Sequence, residues 1–77
     1  MTARTQSPIL AALDRESYLW LAAQSPDILS AVEDEVASGT KPEAIYRMVS
    51  QHVGSERQAL AIRVHQAANH IARSRRD

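Results

Sequence analysis

A chain of 77 residues with no cysteine and a formal net charge of zero makes one small domain that neither a disulfide nor a thiolate metal site can hold together. A lone core of that size supplies only about 3–5 kcal/mol, so stability must come from efficient helix packing or from a partner chain. No stretch approaches the ~20 apolar residues of a membrane span, and the apolar run ending at Leu13 meets Asp14, Arg15 and Glu16 at once, unlike a signal peptide, so a cytoplasmic, soluble protein with no membrane contact is expected.

Ser7-Pro8 and Ser25-Pro26 each offer a capping hydroxyl followed by a proline at the first helical position, where the missing N–H is no loss. The first predicted helix runs over about 8–23, with Leu10, Leu13, Ser17, Trp20 and Leu21 inward. Asp14 offers an alternative, a break at which it caps a second helix. The second helix, about 26–38, turns Ile28, Leu29, Val32 and Val36 inward and leaves Glu33, Asp34 and Glu35 in solvent. Gly39 comes next as the residue that must take positive φ, and Pro42 restarts the chain. The third helix, about 42–53, buries Ile45, Met48, Val49 and Val53, and ends at Gly54. The last, about 56–74, carries Leu60, Val64, Ala67, Ala68 and Ile71 on one side. No strand-length run alternates with period two. The fold class is all-α, a compact bundle of four short helices joined by tight turns, one domain over 1–77 with 1–6 and 75–77 frayed.

Charge is unevenly spread, since residues 1–39 hold two arginines against six acids and residues 40–77 hold seven basic side chains against three acids. Acidic and basic helices of one bundle then attract each other, which suits overall neutrality better than a nucleic-acid contact through the basic half.

Nothing in the sequence points to a reaction, a cofactor or a small-molecule substrate. His65 and His70 are five apart, about 140° around a helix, too far to share a metal ion. Ser7, Ser25 and Ser55 sit at capping positions, Glu33, Asp34 and Glu35 have no apolar pocket to raise a pKa, and the two glycines are fifteen residues apart, which leaves no phosphate loop. The chain is read as a non-enzyme.

Two binding functions remain. The segment from Tyr46 to His65 resembles a helix-turn-helix: Gly54 supplies the turn, Ser50 the small residue at the helix crossing, Val49, Val53 and Leu60 the packing, and Ser55 with Gln58 a capping box. That resemblance implies a dimeric DNA-binding regulator reading with residues 42–74, with Arg57, Gln58 and His65 at the bases and Arg73, Arg75 and Arg76 on phosphates. The slot near the end of the motif that should pack inward holds Arg63, which a helical wheel places on a solvent-facing polar stripe with Gln66, His70 and Arg73. The leading expectation is therefore a helical protein-interaction module that docks on a protein partner or a second copy of itself. Its anchors are Tyr18, Leu19 and Trp20, with Ile62, Arg63 and His70 as a second surface.

Overall fold

Prolines and glycines punctuate the chain as their backbone chemistry requires. A computed structural model of the protein describes residues 8–76, apart from the side chain of Arg76, and contains α1 (Pro8–Gln24), α2 (Pro26–Ala37), α3 (Pro42–Val53), a 3-10 turn (Ser55–Arg57) and α4 (Gln58–Arg76). The expected cap at Ser7 and the frayed segment 1–6 lie outside the described residues. Pro26 and Pro42 occupy first helical positions, but the hydroxyl of Ser25 makes no capping hydrogen bond. α1 is continuous through Asp14, so the break there does not occur.

Two glycines shape the corners. At the end of α2 the N–H of Gly39 donates to the carbonyl of Val36 and that of Thr40 to the carbonyl of Glu35, the paired bonds of a Schellman motif, with Gly39 at φ 100°. Gly54 sits at φ 73° and ψ −174°, a backbone region nearly restricted to glycine. The corner after it is closed by Gln58. Its Nε2 donates to the carbonyls of Gly54 (2.6 Å) and Ser50 (3.1 Å), while the Ser50 hydroxyl donates to its Oε1 at 2.9 Å. The capping box expected from Ser55 and Gln58 is thus absent: Ser55 makes no side-chain cap, Gln58 reaches back to α3, and the last helix begins only after a 3-10 turn.

α4 is the hub, packing against α1, α3 and α2 in decreasing extent, whereas α2 and α3 touch each other least. The core unites Leu21 of α1, Leu29, Val32 and Val36 of α2 and Ile45 of α3 with Val64, Ala67, Ala68 and Ile71 of α4. Small side chains at Ala61, Ala67 and Ala68, all fully buried, let neighbouring helices come close to α4.

The sequence misjudged the inner face of α1. Ser17 and Leu21 are buried as expected, but Leu10, Leu13 and Trp20 are exposed and the third buried residue is Asp14, 5% exposed. A row of polar partners on α4 explains it. Asp14 pairs with Arg73 at 3.1 Å, the Ser17 hydroxyl donates to Oε1 of Gln66, the ring of Tyr18 lies 4.9 Å from that of His70, and the Arg63 guanidinium lies 4.9 Å from the Trp20 ring. The pairs run in opposite directions along the two helices, as antiparallel neighbours must. The stripe assigned to solvent, Arg63, Gln66, His70 and Arg73, is therefore the seam against α1, and all four side chains are half-buried.

A buried carboxylate paired with a cation makes an asymmetric prediction. Arg73→Met strands Asp14 and should cost roughly 2–4 kcal/mol, a large part of what a core this small provides, whereas Asp14→Leu combined with Arg73→Met should recover most of the loss. Urea unfolding of both variants measures this. Gly54→Ala is expected to cost about 1–3 kcal/mol by the same assay, purely from backbone strain, because an added Cβ would meet nothing within 4 Å.

Candidate interaction surfaces

Leu10, Asp14, Ser17 and Leu21 recur at helical spacing along one stripe of α1, yet the first is 51% exposed and the others are buried. Pairing level decides this. Asp14 is drawn in beside Arg73, whereas Leu10, one turn earlier, lies outside the core formed by the described residues. Leu13, on the flank of the stripe, is 42% exposed. From Pro8 to Leu13 the helix carries no charged side chain, so this end of α1 is an apolar surface throughout.

The anchors read from sequence do not form one patch. Tyr18 packs half-buried on the core, its ring on His70 and its hydroxyl 3.4 Å from a Glu33 carboxylate oxygen. Leu19 faces outward, 58% exposed, on the side of α1 opposite the core. Trp20 stays exposed beneath the Arg63 guanidinium, whose Nη1 also lies 3.5 Å from the Ser17 hydroxyl. Ile62 is half exposed on α4, next to Arg63 in the chain. Trp20, Arg63 and Ile62 thus belong to one end of the α1–α4 pair, and His70, on the seam with Tyr18, is separate from them.

The residues assigned to DNA are mostly engaged within the fold. Gln58 closes the corner, His65 lies against Tyr46 with ring centroids 5.1 Å apart, and Arg73 holds Asp14. Arg57 and Arg75 are exposed, and the side chain of Arg76 lies outside the described residues. Arg63, taken to point to solvent, instead leans on α1.

A second apolar surface escaped the sequence. Because α2 and α3 hardly touch, an open groove of about 410 Å³ lies over the start of α4, walled by Ile28, Met48, Val49 and Leu60 with His52 and Arg57 among its lining residues. Met48, expected in the core, is 50% exposed there. Its periodicity matched the stripe of α3, and only the separation of α2 from α3 reveals that nothing lies over it.

Among the described residues no group of three histidine, aspartate or glutamate side chains is arranged to hold a metal ion, and no helix is long and apolar enough to cross a membrane. Set against protein-family models, curated proteins and solved structures, the chain matches none.

His70 is the titrating group of the seam. Its pKa is held below the ordinary 6.5 by burial first and by the nearby charges of Arg73 and Arg15, with Asp14 acting in the opposite sense. The folded state therefore takes up a proton less readily than the unfolded chain, so its stabilisation is complete above pH 6.5 and is lost as the pH falls toward the depressed value. His70→Gln should flatten the decline in stability as the pH falls below about 6.5, read as the difference between wild-type and variant urea midpoints.

Proposed function

We propose that the protein is a non-enzymatic helical interaction module that works by self-association, two copies meeting through the N-terminal end of α1. The observation that carries this reading is the pair of uncovered leucines, Leu10 and Leu13, on a charge-free helical end. An interface core is depleted of charge, and burying these side chains desolvates none. A second α1 end supplies an apolar surface of the same kind, which is the condition for an isologous two-fold contact. A formal net charge of zero leaves no long-range repulsion between copies.

Leu19, Trp20 and Ile62, with Arg63 over the Trp20 ring, lie toward the other end of α1 and stay outside this contact. A cysteine-free chain suits the reducing cytoplasm for this role. The helix-turn-helix alternative ranks second, because Gln58 and His65 are occupied by Ser50, Gly54 and Tyr46.

Sedimentation equilibrium across a wide concentration range tests the proposal. Wild-type protein is expected to show a concentration-dependent dimer, and Leu13→Glu to weaken it at least tenfold, about 1.4 kcal/mol, with unchanged helical circular dichroism. A wild-type monomer at every concentration would overturn it.

A further inference from the structure

Beside the seam, Arg15 of α1 and His70, Arg73 and Ser74 of α4 converge on one open cleft of about 250 Å³. We propose that this cleft is a binding site for a phosphate-class oxyanion, with the Arg15 and Arg73 guanidinium groups, the Ser74 hydroxyl and the His70 imidazole as its donors. The cleft borders the self-association surface at Ala11, but none of its proposed donors belongs to that surface, so the two proposals are tested separately.

The charge layout points to an anion. Asp14, the acid paired with this cluster among the described residues, is buried on the seam side and engaged with Arg73. Arg15 projects from the middle of α1, and the residues three and four positions away, Ala11, Ala12, Tyr18 and Leu19, bear no acid to pair with it. The one acid on α2 that faces His70, Glu33, lies in the adjoining cleft on the other side of the imidazole, with Arg75 there as a countercharge. Among the described residues, Arg73 and Arg15 act on the His70 imidazole more strongly than Asp14 does, so positive charge predominates around it.

Arginines in the last turns of α4 are expected from its dipole alone, which accounts for Arg73 and Arg75. It does not account for Arg15, which arrives from another helix. Guanidinium groups from two helices, with a hydroxyl and an imidazole between them, match the several acceptor oxygens of a phosphate better than the two of a carboxylate.

The test monitors the His70 ring proton by NMR across pH, in millimolar inorganic phosphate and in chloride of equal ionic strength. Bound phosphate should raise the His70 pKa by about one unit, the effect of an anion placed close to an imidazole. Arg15→Gln should abolish the shift, and Arg57→Gln, in the 3-10 turn before α4, should leave it intact. Parallel titrations with glycerol phosphate and with phosphatidic acid vesicles separate the sources: a shift with the soluble ester assigns a free ligand, and a shift with vesicles alone assigns a lipid headgroup. If no phosphate compound moves His70 more than chloride does, or if Arg15→Gln responds like the wild type, the proposal is overturned.

Discussion

The pairing of Asp14 with Arg73 across the α1–α4 seam sets the alignment on which the rest of the fold depends. A carboxylate taken out of water needs a cation held in place, and here the cation comes from the last turns of the hub helix. With that pair fixed, Ser17 meets Gln66, Tyr18 meets His70 and Trp20 meets Arg63 across the antiparallel helices. In the same alignment Leu10, one turn before Asp14 on the stripe, stays exposed among the described residues. Stability and exposed surface are thus two consequences of one alignment.

A polar seam inside a small bundle trades strength for definition. Apolar side chains of similar volume would bury more area at less desolvation cost, but they would slide more readily along one another. Hydrogen-bonded and charged partners penalise any shift in register, because each shift strands a buried polar group. The apolar work is left to the other side of α4, where alanines admit close helix approach and Leu21, Val32, Ile45, Val64 and Ile71 interdigitate. This division explains why α4 can carry so many polar residues and still be the central helix.

Helix limits were legible because they depend on local chemistry. Pro42 and Gly54 bracket α3 as read, and Gly39 takes the positive φ that its position demanded. The wheel of α4 correctly placed Val64, Ala67, Ala68 and Ile71 in the core. It failed on Arg63, Gln66, His70 and Arg73, because a wheel assigns polar residues to solvent by default and cannot represent a second helix whose facing residues are polar too. The continuous first helix was read correctly, with a cap at Asp14 only as an alternative, but the burial of Asp14 was not legible, since the partner that makes it tolerable lies 59 positions away in the chain. For the candidate surfaces, the sequence singled out exposed Leu19, Trp20 and Ile62 but grouped Tyr18 with them, although three consecutive helical residues point in three directions.

By itself the sequence determined an all-helical chain, the places where its helices stop, and most of the apolar core, since these arise from backbone conformation and from periodicity within single segments. Only the tertiary structure decided which faces are left open. Whether Leu10 is core or surface depends on what packs beside the first turns of α1, whether Met48 is covered depends on the separation of α2 from α3, and whether Arg15 has an acidic neighbour depends on which helix lies beside it. Exposure is a relation between segments, so it exists only once the segments are packed.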